Sequence, residues 1–263
     1  VIPASEAGAV VLWTYARCGS TWMYHVLGMH ESINVIGELF FIYGFDKLLQ
    51  AGEVRSRGHF LDLFMSCNVF HNKYLGYKDS NHEKKQQECL HSQYRLYKLL
   101  YSQIRTDILE WHQQHNTSII HLVRRNVFGR GVSVEHLQKQ NLATLGRIQA
   151  QGGLENLKLR VDVNKFIRQM ERYIKTVKQS TEALQNLGIP HVTVYYEDLL
   201  DSEKKDKSWN EIMDLLNLPH SPFPGKSGNS TGQIHSVPDY KDEIKNYEEV
   251  AHAVKEKGWS WML

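Results

Sequence analysis

Three segments of the chain combine residue types that can hold an anion. The first is Arg17-Cys-Gly-Ser-Thr-Trp22. A glycine lets backbone approach an anion closely, hydroxyls at a helix start add donors, and an arginine adds a fixed positive charge. The spacing G-x-x-x-x-G-K-[ST] of a Walker A loop is absent. Alone, the segment reads equally well as a Gly-Ser-Thr helix cap beside an exposed arginine.

The second segment is Arg124-Arg-Asn-Val-Phe-Gly-Arg-Gly-Val-Ser133. Arg125 and Ser133 are eight residues apart, roughly two helical turns, so an arginine at a helix entry and a hydroxyl project on related faces. Arginines at a helix N-terminus oppose its dipole, a cost that a bound anion offsets. The third is Tyr195-Tyr-Glu-Asp-Leu-Leu200, in itself a strand end running into a short helix.

The elements that must position these segments are legible as strands and helices. Ala9–Thr14 is short and apolar, as expected of a buried parallel strand, and Trp22–His30 suits a helix. Ile33–Ile36, Tyr74–Tyr77, Ser118–Val123 and His191–Tyr195 are further expected strands. Helices are expected at Asp46–Ala51, His59–Met65, Asn210–Leu216 and Asn246–Lys257. Glu88–Gln114 carries apolar residues at helical spacing and predicts one long helix. A helix follows Arg124, and another over Asp162–Leu187 closes at Gly188 with Pro190 beyond it. Ser221–Tyr240, rich in Pro, Gly, Ser and Asn, is a long loop. Strands alternating with helices and no dividing linker predict a single α/β domain over residues 1–263, with a central, mostly parallel sheet flanked by helices. Ligands bind such sheets beyond the carboxyl ends of their strands.

The formal charge of +2 on 263 residues is close to neutral and implies no broad basic face for duplex nucleic acid, while leaving room for a local basic pocket. Cys18, Cys67 and Cys89 leave one over and show no C-x-x-C spacing, which argues against a disulfide framework or a zinc site and for a reducing compartment. No apolar run is long enough to span a bilayer, and the first residues do not read as a signal peptide. The expectation is a soluble, cytoplasmic protein, monomer or homodimer, with neither nucleic acid nor membrane as partner.

In this order, the three segments resemble those of the PAPS-dependent sulfotransferase superfamily, whose donor is 3′-phosphoadenosine-5′-phosphosulfate. Thr14–Trp22 is similar to the family's 5′-phosphosulfate loop, T-Y-P-K-S-G-T-T-W. Arg125 through Ser133 resembles its 3′-phosphate motif, and Tyr196-Glu-Asp-Leu its Y-E-D-L segment, with Ile212–Pro219 like the usual continuation. The resemblance runs from about Gly8 to the C-terminus and is weak in the middle third. It implies the P-loop-kinase-like sulfotransferase fold. It also implies that Arg17 and the loop Cys18-Gly19-Ser20-Thr21-Trp22 hold the 5′-phosphosulfate, that Trp22 and Tyr196 face the adenine, and that Arg125 and Ser133 hold the 3′-phosphate. Lys226, in the Gly/Ser loop, is a further 3′-phosphate contact by the same resemblance. Arg17 stands where the phenol- and steroid-modifying branch has lysine, and Ala16 replaces its proline. Gly37-Glu-Leu-Phe40 resembles a segment of bacterial trehalose sulfotransferases. These features lie nearer the bacterial and carbohydrate-type small-molecule branch.

The implied reaction is in-line sulfuryl transfer to a hydroxyl or amine of a small polar acceptor, a saccharide or natural product, releasing adenosine 3′,5′-bisphosphate. The leaving group is already a stable anion, so no metal is required. Arg17 is the nearest candidate for the bridging oxygen, and Lys78, in Leu75-Gly-Tyr-Lys78, matches a lysine that contacts the transferred group. Glu38, after an expected strand, is the first choice of base and His82 the second. Ser80 occupies the spacing of the family's histidine and cannot serve. His112 and His115 read as core or surface residues. The rivals are a P-loop-type nucleotide kinase, which shares the fold, and a nucleotide-binding scaffold without turnover.

Overall fold

In the computed structural model, which describes residues 6–42, 45–68, 82–144, 158–225 and 239–263, the apolar run Gly8–Thr14 forms β1, the middle strand of a five-stranded sheet. In chain order the elements are β1, α1 (Ser20–Leu27), β2 (Ile33–Glu38), α2 (Leu39–Ile42), α3 (Phe45–Gln50), α4 (Arg57–Met65) and α5 (His82–His91). They continue with β3 (Tyr94–Leu100), α6 (Thr106–Gln114), β4 (Ser118–Val123), α7 (Val127–Thr144), α8 (Val163–Leu187) and β5 (His191–Tyr195). The chain ends with α9 (Tyr196–Leu200), α10 (Lys205–Leu215), α11 (Tyr240–Glu243) and α12 (Tyr247–Glu256).

The sheet order is β2-β3-β1-β4-β5, and every pairing is parallel. The register sets Thr14 beside Leu100 and Leu122, and Val123 beside Tyr195, so β3, β1, β4 and β5 end level. The α/β class and the parallel sheet agree with the sequence pattern. A strand flanked on both sides and covered on both faces reads as a near-continuous apolar run, and β1 is buried from Ala9 to Thr14.

Two compact units are present, each made of two stretches. The first, Val1–Val123 with Thr181–Gly232, holds the whole sheet. Its core packs Val10, Leu12, Met23, Leu96, Ile120, Val194, Trp209 and Ile212. The second, Arg124–Ser180 with Gln233–Leu263, is built on α7, most of α8, α11 and α12. A bridge from Leu159 to Ile244 joins its two stretches. Gly188 ends α8 at φ 62°, the left-handed stop its sequence position predicts.

One expected element is wrong. Glu88–Gln114 is not a single helix: α5 ends at His91, Tyr94–Leu100 is β3, and a 3-10 turn at Tyr101–Gln103 precedes α6. Strand β3 lies between β2 and β1, and its polar residues Arg95 and Lys98 are as buried as its apolar ones. Three residues apart among Leu96, Leu99 and Leu100, they imitate the polar stripe of an amphipathic helix. Arg95 is held inside by donating from Nε to the Cys89 carbonyl at 3.2 Å and from Nη1 to the Met65 carbonyl.

The cysteine expectation is also corrected. Cys67 and Cys89 form a disulfide, with Cα atoms 6.0 Å apart, and Cys18 is a free, buried thiol. Cys67 follows α4 and Cys89 lies in α5, so their pairing depends on a tertiary approach that sequence spacing does not encode. The premise for a reducing compartment thereby falls. No described helix is long and apolar enough to cross a membrane. The expected strand Tyr74–Tyr77, Lys78 and Lys226 lie outside the described residues.

Candidate active site

At the end of β1, the Thr14 hydroxyl donates to the Leu122 carbonyl at 3.0 Å, tying the start of the loop to β4. Arg17 and Gly19 then adopt left-handed backbone, φ 69° and 83°, on either side of Cys18. Alternating handedness turns successive N–H groups toward one concave side, the nest geometry that receives anions. A left-handed arginine costs about 1–2 kcal/mol, and the buried Cys18 side chain anchors the turn that imposes it. Arg17 and Thr21 are exposed, whereas Ser20 and Trp22 are buried.

The N-cap of α1 is Gly19, with no side-chain hydrogen bond and no acidic residue in the first turn. Ser20 and Thr21 are thus the first helical residues, and the loop is not a Ser/Thr cap. The positive end of α1 has no carboxylate of its own first turn to satisfy it, as an anion-binding helix start requires. Gly19 is also demanded by packing, since a Cβ there would lie 2.3 Å from Cδ2 and Cε2 of Tyr196.

Tyr196 opens α9 directly after β5, and its ring meets Trp22 edge-on at 5.8 Å. Phe223 lies 5.7 Å from both Trp22 and Trp209. Trp22 is only 8% exposed and belongs to the core, so Tyr196 and Phe223 carry the more accessible ring surface. Phe223 was hidden in an aperiodic Pro/Gly stretch. Its only sequence signal is an aromatic residue where a solvated loop has no use for one.

Glu38 is the last residue of β2, reached through Gly37 at φ 85° and a register shift after Val35. It stands opposite Lys98 of β3, and Oε1 of Glu38 forms an ion pair with Nζ of Lys98. The lysine side chain is 9% exposed and the glutamate 27%. A charge buried to that degree needs a partner, and Glu38 supplies it. Lys98 was missed because it fell within the expected long helix. His82 is the first residue of α5, and its side chain lies outside what the structure describes.

His112 and His121 are core residues. His112 Nε2 is 2.8 Å from the Tyr97 hydroxyl and Nδ1 is 3.1 Å from Thr117 Oγ1. Burial, helped by nearby His115, lowers its pKa to about 3. His121 bonds the Tyr101 hydroxyl and lies 3.3 Å from Thr193 Oγ1. Burial, with His191 adding to it, lowers His121 to about 4. His115 stacks on Trp111 with ring centroids 4.0 Å apart.

In the second unit, α7 begins at Val127, not at Arg124. Asn126 accepts the Gly129 N–H at 2.7 Å, an asparagine side chain satisfying a first-turn donor. Arg125 therefore stands in the turn before the helix, exposed, and Ser133 lies in the second helical turn, half-buried. The Tyr173 hydroxyl accepts the Arg124 N–H and donates to the Arg124 carbonyl, both at 3.0 Å. The Arg130 guanidinium lies 4.7 Å over the Tyr173 ring. A Cβ on Gly129 would stand 2.2 Å from the Tyr240 hydroxyl, and one on Gly131 2.7 Å from the Phe166 ring. Both glycines of the motif answer to aromatic neighbours.

The first unit thus gathers Arg17 through Trp22 with Tyr196 and Phe223, and it pairs Glu38 with Lys98. The second holds Arg125 and Ser133 at the entry of α7. No protein-family model and no curated protein matches the chain. Among solved structures it is similar to a sulfotransferase from Alicyclobacillus acidocaldarius, at 13% identity and TM-score 0.45, covering 94% of this chain and 93% of that one. It is similar to shikimate kinase from Bacteroides thetaiotaomicron, at 12% identity and TM-score 0.40, covering 80% and 99%. Mouse sulfotransferase SULT7A1 complexed with PAP is similar at 11% identity and TM-score 0.43, covering 96% and 89%.

Proposed function

We propose that the chain is a sulfotransferase that takes the sulfuryl group from PAPS and passes it in line to a hydroxyl or amine of a small polar acceptor. The observation that carries this reading is the left-handed pair Arg17 and Gly19 at the end of the middle strand, feeding a helix whose cap has no side chain. That backbone presents N–H donors and an arginine to an anion, and Tyr196 closes on the glycine.

In this reading Arg17 and the amides of 18–22 hold the 5′-phosphosulfate, and Tyr196 and Phe223, backed by the buried Trp22, offer ring surface to the adenine. Arg125 and Ser133 take the 3′-phosphate. The acceptor atom forms a bond to sulfur as the bond from sulfur to the bridging oxygen breaks. That electron pair stays on the 5′-phosphate, where Arg17 and the amides stabilise it. The acceptor proton passes to Glu38, which Lys98 fixes at the strand end. The products are the sulfated acceptor and adenosine 3′,5′-bisphosphate. Lys78 and Lys226 keep the roles the resemblance implies for them, and His82 is the alternative base.

The test begins with thermal shift. Adenosine 3′,5′-bisphosphate without magnesium should raise the melting temperature as a native-state ligand does. Stabilisation by magnesium–ATP alone would establish the kinase reading instead. Mass spectrometry of acceptor pools incubated with PAPS should then show the gain of one sulfuryl group. Binding with no transfer to any pool would leave a nucleotide-binding scaffold.

A further inference from the structure

Arg125 is exposed, and a long, flexible side chain can hold one phosphate well only if the backbone that launches it is fixed. Two side chains fix that backbone. Asn126 caps α7 through Gly129 and also donates from Nδ2 to the Tyr240 hydroxyl at 3.3 Å. Tyr173, 2% exposed on α8, spends both the donor and the acceptor of its hydroxyl on Arg124, the residue immediately before Arg125. Its ring meanwhile carries Arg130, itself 5% exposed, so that this guanidinium is committed to the interior. One tyrosine therefore clamps the turn and stations a neighbouring arginine, leaving Arg125 as the exposed arginine of the three.

We infer that Tyr173 is a positioning residue for recognition of the 3′-phosphate: its hydroxyl sets the Arg124 peptide groups, and these aim Arg125. The inference rests on the PAPS reading above and adds a specificity determinant to it. Tyr173 touches no part of the nucleotide in this scheme. Its loss should weaken only the increment of affinity that the 3′-phosphate brings.

The experiment is calorimetric titration of the full chain with adenosine 3′,5′-bisphosphate and, separately, adenosine 5′-monophosphate. Tyr173→Phe keeps the ring under Arg130 and removes the clamp. The ratio of the two affinities should fall by about tenfold, the scale of one misaligned charge-assisted contact. Affinity for the monophosphate should stay within about twofold. In an Arg125→Ala background the same substitution should change the ratio by less than about twofold, because the residue it aims is gone. An unchanged ratio in Tyr173→Phe, or an equal fall with and without Arg125, would overturn the inference while the donor reading stands. A wild-type protein that binds both nucleotides equally would instead remove the donor reading on which the inference rests. The two failures are therefore distinct.

Discussion

Gly19 and Tyr196 are in such close approach that a single added methyl on the glycine would overlap the tyrosine ring at 2.3 Å. With φ at 83° the position also disfavours any side chain. Gly19→Ala should cost about 1–2 kcal/mol for the left-handed backbone and a further 1–3 for the overlap. It should also weaken bisphosphate binding by at least about tenfold, since the nest must distort. Urea denaturation and calorimetry measure both. Adding Tyr196→Ala should recover the overlap part of the stability loss relative to Tyr196→Ala alone, and not the backbone part.

Arg17 allows the charge to be removed without straining the fold. Its φ of 69° suits glycine better than arginine. Arg17→Gly should therefore keep stability within about 1 kcal/mol. Turnover should fall by about a hundredfold or more, as for loss of a donor to developing negative charge. A folded, fully active Arg17→Gly protein would exclude Arg17 from the chemistry.

The Glu38–Lys98 pair separates catalysis from packing. Glu38→Gln should abolish transfer while bisphosphate binding persists. It leaves Lys98, 9% exposed, without its counter-charge, and should cost about 2 kcal/mol. The double variant Glu38→Gln/Lys98→Met should regain most of that stability and no activity. Normal transfer by Glu38→Gln would eliminate this carboxylate as the base.

Acid should destabilise the protein through its buried imidazoles. His112 and His121 have pKa values lowered to about 3 and about 4 from 6.5, chiefly by burial. Above pH 6.5 neither contributes a pH dependence, because both are neutral folded and unfolded. Between 6.5 and about 4 the unfolded chain binds protons that the native one refuses, so stability falls with falling pH. Each such proton gives a slope of about 1.4 kcal/mol per pH unit. Denaturation between pH 8 and 4.5 should show this slope, and His112→Gln should reduce it.

Reduction of the Cys67–Cys89 bridge should be felt in stability. The bond closes a separation of 22 residues, for which the unfolded-state constraint is worth about 3 kcal/mol. Urea midpoints with and without a reductant should differ accordingly. Cys67→Ser/Cys89→Ser should match the reduced protein, and its midpoint should not respond to reductant.

Much of this architecture could be read from the chain. Strands β1, β2, β4 and β5 are apolar runs between turn residues, and Gly188 marks the end of α8. Strand β3 escaped because complete burial removes the alternation that identifies a strand, and Arg95 and Lys98 supplied false polarity. The loop after β1 is marked by its residue types, yet its nest-like backbone depends on Arg17 being left-handed, which no propensity predicts. Tyr173 and Phe223 were illegible for one reason. Each acts through a partner distant in sequence, and periodicity reports only neighbours along the chain.

The glycines of the second motif carry an evolutionary consequence. Gly129 is bare because the Tyr240 hydroxyl fills its side-chain space, and Gly131 because the Phe166 ring fills its own. Drift at either glycine is possible only if the distant aromatic shrinks in the same lineage. Positions 129 with 240, and 131 with 166, should therefore co-vary as pairs. A substitution accepted at one without the other would mark a descendant whose α7 has moved.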